Sequence, residues 1–177
     1  MSTPLKILRS DLIYSGRVIS LLKDTVILHS GRTVIREKVM HPGSVGILPV
    51  LEDGSLILIK QFRYVVGSSL LEIPAGTIEE GESPEECAAR ELLEETGYRL
   101  GKLTLLSAFY LAPGYSNEFM WLFKATELRA GDMKPMPDES IEVKKLSLDE
   151  ALGLIRSGEI KDVKTICAIL LYALWRG

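Results

Sequence analysis

Apolar runs and turn signals alternate along most of this chain, and they predict a strand-rich protein with three helices. Residues 44–51 and 55–63 contain the nearly continuous apolar runs VGILPVL and LILIKQF, the pattern of buried central strands. Asp53-Gly54 lies between them and predicts a hairpin. Residues 70–74, 103–111, 118–125 and 141–146 predict four further strands. Upstream, 17–23, 25–29 and 32–40 predict a small antiparallel β unit, with Ser30-Gly31 as a turn. Strands of this length bury little alone, so that unit needs the rest of the protein or a second copy of it. His41-Pro42-Gly43 is turn chemistry and marks a boundary. The expected domains are therefore 1–42 and 43–177. His41 itself reads as a loop residue rather than a ligand.

Helical signals cluster in three places. Ser83-Pro84-Glu85-Glu86 fits a capping box with proline at the first helical position, and Gly97 suits a left-handed C-cap, which predicts a helix over 84–96. Ser147-Leu148-Asp149-Glu150 is a second capping box, opening a helix that ends near Gly158. Asp162 caps a final helix whose expected apolar face is Ile166, Ile169, Leu170, Ala173 and Leu174. Between the strands lie a turn-rich loop at 112–117 and a polar, Pro- and Gly-containing loop at 128–140. Strands interleaved with a central helix and two C-terminal helices predict an α/β fold, a mixed sheet with helices on both faces.

The first of these helices carries an anomaly of charge. Glu79, Glu80, Glu82, Glu85, Glu86, Glu91, Glu94 and Glu95 all fall between Gly76 and Tyr98, and from Glu79 to Glu95 the only basic side chain is Arg90. Like charges three or four positions apart on a helix repel. Glu91, Glu94 and Glu95 project from neighbouring positions on one side, while Cys87, Ala88 and Leu92 can pack down on another. An acidic face left without interleaved Lys or Arg suits a hard divalent cation.

Composition narrows the picture. The chain has 177 residues, 46% hydrophobic and 25% charged, enough for one domain with a sizeable core and a small appendage. A formal net charge of −3 gives no basic stripe for nucleic acid. No apolar run is long enough to span a bilayer and residues 1–16 hold no signal-peptide core, so no membrane partner and a cytoplasmic location are expected. Cys87 and Cys167 fall in no metal-ligand spacing.

The stretch GTIEEGESPEECAARELLEETGY resembles the Nudix box, G-x5-E-x7-R-E-U-x-E-E-x-G-U with U a bulky apolar residue. Gly76, Glu82, Arg90, Glu91, Leu92, Glu94, Glu95, Gly97 and Tyr98 fill every specified position. The chain is thereby identified as a member of the Nudix hydrolases. The resemblance implies a Nudix-type α/β/α sandwich with a mixed sheet over 43–177, plus the N-terminal β unit as a dimerisation element. LLEIPAG before the box, KQFRY upstream, and Pro113 fifteen residues after Tyr98 within LAPGYSNE resemble the ADP-ribose pyrophosphatase branch. In that branch the N-terminal unit commonly exchanges between subunits, implying a domain-swapped homodimer.

Hydrolysis of a phosphoanhydride needs neutralised phosphate oxygens and an activated water, and divalent metals supply both. The resemblance implies Mg²⁺, with Mn²⁺ as the alternative. Its ligands would be Glu91 and Glu95 with the carbonyl of Ala75, and Glu94 directly or through water. Arg90 reads as the group that pairs with Glu82 and holds the loop to the helix; Glu82 could instead neighbour the metal. Arg63 could fork onto a phosphate, stack on a base or form a surface ion pair. Glu72 sits in an apolar strand, where a carboxylate is costly to bury without a partner, and the family role implied for it is contact with adenosine or ribose hydroxyls. Pro113, Gly114 and Glu118 belong to the implied substrate loop. The general base is expected outside the box, at Glu139 or, second, Glu142, with the box glutamates Glu94 and Glu95 as the remaining option. The implied reaction is hydrolysis of ADP-ribose to AMP and ribose 5-phosphate. GDP-mannose or another nucleoside-diphosphate sugar is the rival substrate. A non-catalytic ADP-ribose sensor is the rival of another class.

Overall fold

A computed structural model of the chain describes residues 5–132 and 140–175. It divides into two compact units, Met1–Gly43 with Phe109–Met120, and Ser44–Ala108 with Trp121–Gly177.

The first unit is an antiparallel meander of β1 (Leu5–Ser15), β2 (Ser20–Leu28) and β3 (Thr33–Met40). The expected strands at 17–23 and 25–29 form one strand, β2, and the third member is β1. Register shifts at Ile7/Arg9 and Leu12/Tyr14 explain why β1 lacks a readable alternation: each bulge puts later residues out of phase. Gly31, with φ 79°, turns the chain between β2 and β3 and its N–H donates to the Leu28 carbonyl at 2.9 Å. At the centre of β2, buried Asp24 accepts from Ser10 Oγ (2.6 Å) and Lys38 Nζ (2.9 Å), tying all three strands together. The loop 109–120 completes this unit. Val39 N–H donates to the Tyr115 carbonyl, and the Asn117 side chain bonds the backbone of His41 on both sides. His41 Nδ1 accepts from Gly43 N–H at 3.0 Å, so it is a loop-forming residue, as its sequence context indicates.

The second unit contains the rest: β4 (Ser44–Pro49), β5 (Leu56–Arg63), β6 (Ser68–Glu72), β7 (Ala75–Thr77), α1 (Pro84–Thr96), β8 (Tyr98–Arg99), β9 (Lys102–Tyr110), β10 (Phe119–Thr126), β11 (Arg129–Ala130), β12 (Ile141–Leu146), α2 (Leu148–Ser157) and α3 (Val163–Trp175). The strands order as β7-β4-β10-β9, β12-β5-β6 and β11-β8, with the last residues of β9 and the first of β10 counted in the first unit. Every residue of β4 is buried, as its apolar run requires. The core gathers Val45 and Ile47 of β4, Cys87, Ala88 and Leu92 of α1, and Phe123 and Ala125 of β10.

Two expectations are corrected. Asp53-Gly54 does make a tight turn, with Gly54 N–H on the Leu51 carbonyl and Leu51 N–H on the Ser55 carbonyl. Yet β4 and β5 share only the bridge Val50–Leu56 and then diverge into different sheets. Both are apolar on both faces, so each needs neighbours that the other cannot supply. The second correction concerns α3. Its buried residues are Lys164, Thr165, Ala168, Ile169 and Tyr172, whereas Leu170 and Leu174 are exposed, the latter 74%. The helix turns a face with two polar residues inward because those residues find partners there.

Candidate active site

The helix α1 is set by local chemistry. Ser83 Oγ accepts from Glu86 N–H (3.3 Å) and the Glu86 carboxylate accepts from Ser83 N–H (2.9 Å), a complete capping box. Gly97 at φ 73° closes the helix, its N–H bonded to the Leu93 carbonyl. Cys87, Ala88 and Leu92 are buried beneath it, which turns the acidic positions towards the preceding loop. Burial pushes the Cys87 thiol pKa up, and the neighbouring Glu82 carboxylate adds to the shift, so it stays a protonated core side chain.

One guanidinium gathers the carboxylates. Arg90 Nε and Nη2 donate to the two oxygens of Glu82 at 2.8 and 3.0 Å. Nη1 donates to Glu91 (2.7 Å) and Glu94 (3.3 Å), and Nη2 also reaches the Thr77 carbonyl at 3.3 Å. Arg90 therefore fastens the loop that carries Glu82 and Thr77 to the helix. The bidentate bond from Arg90 holds the Glu82 carboxyl at a pKa of about 2, against its ordinary 4.5. Its carboxylates in turn raise the Arg90 pKa, the Glu82 hydrogen bond most.

The chain crosses this face closely. Glu95, 3% exposed, accepts from the Ala75 N–H at 2.9 Å. Next along, a Cβ added at Gly76 would fall 1.8 Å from Glu91 Oε1. Glycine is needed at 76 for this close approach, a requirement of space rather than of backbone angle. Glu91, Glu94, Glu95 and the Ala75–Gly76 backbone thus form an oxygen-rich surface beside the Arg90 guanidinium, which bonds Glu91 and Glu94. Among the described residues, no three His, Cys, Asp or Glu side chains converge into a ready-made metal cage. Mg²⁺ needs none, because it keeps several waters and is held through one or two carboxylates with substrate phosphates. A hard-oxygen donor set in net negative surroundings fits such an ion.

A second ion network lies in the same unit. Arg63, at the end of β5, donates through Nε and Nη2 to the two oxygens of Glu72, each at 2.8 Å. Glu72, 1% exposed, also accepts from Lys164 Nζ of α3. Lys164 bonds Asp162 as well, at 2.9 Å. Asp162 accepts from Thr165 N–H (3.0 Å) and Thr165 Oγ (2.5 Å), and Ile73 N–H donates to Thr165 Oγ at 2.8 Å. Burial pushes the Glu72 pKa up, but the Arg63 and Lys164 bonds outweigh it and the net direction is down. Arg63 is raised, first by its bonds to Glu72, against burial, with the charges of Glu72, Glu95 and Asp162 adding to it.

Of the residues proposed from sequence, Arg90, Glu91, Glu94, Glu95 and Ala75 come together on α1 and its flanking loop, and Arg63 with Glu72 forms a pair. Pro113, Gly114 and Glu118 lie in the loop of the first unit. Its turn is held by Tyr115 and Ser116 N–H on the Ala112 carbonyl, and Glu118 N–H donates to Ser116 Oγ. At Gly114 an added Cβ would meet nothing within 4 Å. Glu142 is an exposed residue of β12 that accepts from Lys144, which lowers its pKa. Glu139 lies outside the described residues. Lys164 escaped sequence reasoning, although the cost of burying Glu72 required a cationic partner of some kind.

Residues 40–168 match the NUDIX domain. The chain is 44% identical over 166 residues to the ADP-ribose pyrophosphatase of Bacillus subtilis (strain 168), covering 93% of this chain and 90% of that one. It is 39% identical over 140 residues to the GDP-mannose pyrophosphatase of Yersinia pestis (strain Pestoides F), covering 74% and 70%. A crystal structure of an ADP compounds hydrolase matches with a TM-score of 0.87 at 25% identity, over 98% of this chain and 94% of the other.

Proposed function

The chain belongs to the Nudix family, and from that premise we propose that it hydrolyses the pyrophosphate bond of ADP-ribose to AMP and ribose 5-phosphate with Mg²⁺. The observation that carries this reading is the acidic face of α1, where Arg90 meets Glu82, Glu91 and Glu94 while Glu95 holds the Ala75 backbone. Glu91, Glu94, Glu95 and the Ala75 carbonyl would hold the ion, which when bound neutralises phosphate charge and lowers the pKa of a coordinated water. Arg90 orients the carboxylates and keeps the loop at its place on the helix. Glu72 fixes Arg63 towards the substrate, and Pro113, Gly114 and Glu118 supply the substrate loop. Glu139 is our assignment for the general base, from its sequence context. A Glu139→Gln variant with near-normal turnover and unchanged metal affinity rejects it.

The likeness to an ADP-ribose pyrophosphatase over nearly the whole chain favours ADP-ribose. The shorter match to a GDP-mannose pyrophosphatase makes that sugar nucleotide the second reading. Incubation with Mg²⁺ and ADP-ribose, GDP-mannose, NADH or 8-oxo-dGTP, with product identification, separates them. AMP and ribose 5-phosphate from ADP-ribose at the highest kcat/KM are expected; a preference for GDP-mannose overturns the substrate but not the chemistry.

Residues 1–42 act in this reading as a dimerisation unit exchanged between two subunits. The support is a run of large apolar side chains left exposed on β1, including Ile7, Leu12, Ile13 and Tyr14, more than a monomer's surface ordinarily shows together. Light scattering should give a dimer mass; a monomer at micromolar concentration rejects this. A cytoplasmic setting suits Cys87 and Cys167, both free thiols.

A further inference from the structure

The N-terminal turn of α3 makes a buried polar contact in the second unit, and Lys164 has no part in the chemistry above. Lys164 and Asp162 are largely buried, with side-chain exposures of 11% and 14%. A buried ammonium is costly unless it is paired and hydrogen-bonded. Lys164 has two carboxylate partners, Glu72 and Asp162. Thr165 extends the contact, taking the Ile73 N–H and giving its hydroxyl hydrogen to Asp162. The segment from Glu72 to Ala75 is therefore pinned at both ends. At one end α3 holds Glu72 and Ile73; at the other Glu95 of α1 holds Ala75.

Arg63 sits on the outer side of this clamp. Its Nε and Nη2 edge is taken by Glu72, and the side chain remains 37% exposed. A planar fork held along one edge presents its remaining Nη1 hydrogens in one direction. The Glu95 charge of α1 is among those that act on this guanidinium.

We propose that Lys164 is a positioning residue: by fixing Glu72 from α3, it holds Arg63 in the orientation that receives the substrate's diphosphate. This rests on the reading that a diphosphate ester occupies the acidic face of α1. Lys164 touches no reacting atom, and its effect passes through Glu72 and Arg63. Loss of the ammonium leaves Glu72 with one cationic partner, and the Glu72–Arg63 pair gains freedom to turn. Ground-state binding of the phosphates weakens, while the metal-facing carboxylates stay in place.

The test uses the full chain with Lys164→Met and Lys164→Arg, each alone and combined with Arg63→Ala. Lys164→Met should raise KM for ADP-ribose about tenfold with kcat within about twofold, the size of effect usual for supporting residues around a site. Lys164→Arg should restore most of that loss. With Arg63 already Ala, Lys164→Met should change KM by less than about twofold, since the effect has no other route. Equal KM increments in both backgrounds, or an unchanged KM, overturn the proposal. Should the Met variant fold poorly, Lys164→Gln is measured in its place. A second readout needs no substrate: hydrogen exchange of the Arg63 Nε–H by nitrogen NMR, protected in the wild type and exposed in Lys164→Met. Unchanged protection overturns the positioning role. A wild-type protein that leaves ADP-ribose intact overturns the substrate reading, and the exchange measurement then decides the role of Lys164 alone.

Discussion

Arg90 with its glutamates and Glu72 with its cations are built from the same groups in the same unit, yet they differ in balance. Around Glu72, two cations (Arg63, Lys164) face two carboxylates (Glu72, Asp162). Around Arg90, one guanidinium pairs with three carboxylates among the described residues. The balanced network is the more deeply buried. Net charge is expensive to take out of water, so a buried cluster keeps only what it can neutralise. The Arg90 cluster is partly open to solvent. In the proposed reading an external cation completes this open site, whereas the network around Glu72 holds Arg63.

Removing a carboxylate from each side tests this contrast most directly. Glu91→Gln should lower kcat by about 10³-fold, the scale of losing a principal electrostatic group at a reaction centre. Its thermal midpoint should hold or rise, because like-charge repulsion is relieved. A large loss of stability with little loss of rate would break the distinction. Glu72→Gln should do the reverse. Breaking a buried ion network by removing one partner costs about 3–5 kcal/mol, readable in urea unfolding, and the kcat of what remains folded should fall far less than in Glu91→Gln.

Gly76→Ala sharpens the contrast without touching a charge. The added Cβ would fall 1.8 Å from Glu91 Oε1, so the carboxylate must shift. A displacement of that size near a reacting centre costs about 10²-fold in rate. Apparent Mg²⁺ affinity should weaken in parallel, while far-UV circular dichroism stays unchanged. Retention of full activity would show that the close approach of 76 to Glu91 is dispensable.

The smallest effect concerns pH. The Glu82 pKa is depressed from 4.5 to about 2 by Arg90, so its stabilising contribution is complete above about pH 4.5 and is lost as pH falls through about 2. Comparing thermal midpoints of the wild type and Glu82→Gln should give a wild-type advantage of about 2–4 °C at pH 6, modest because the pair is partly solvated. That advantage should shrink towards zero as pH approaches 2. A constant difference across this range would mean that Glu82 stabilises by packing alone.

Much of the site was legible because it is local. Ser83, Glu86 and Gly97 set the ends of α1 by bonds within a few residues, and the 3.6-residue repeat then places Glu91, Glu94 and Glu95 together. The pairing of Arg90 with Glu82 followed from the same short range, and the structure contains it. The face of α3 was misread for the opposite reason. Apolar periodicity favoured Leu170 and Leu174, but Lys164 and Thr165 are buried by partners 92 residues away, Glu72 and Ile73. Hydrophobicity counts cannot register a polar residue whose burial depends on a distant bond. The Asp53-Gly54 turn shows the same limit: the turn formed as read, while the destinations of β4 and β5 were set by the sheets that receive them.

The amino-acid sequence by itself determined the helix α1, its caps, the acidic face and the spacing that identifies a Nudix hydrolase, since all of these depend on contacts within a turn or two of chain. Only the tertiary structure decided which cations each buried carboxylate meets. Charge balance is a property of neighbours in space, and the cation that settles Glu72 lies 92 residues along the chain, on a helix whose own pattern pointed the other way.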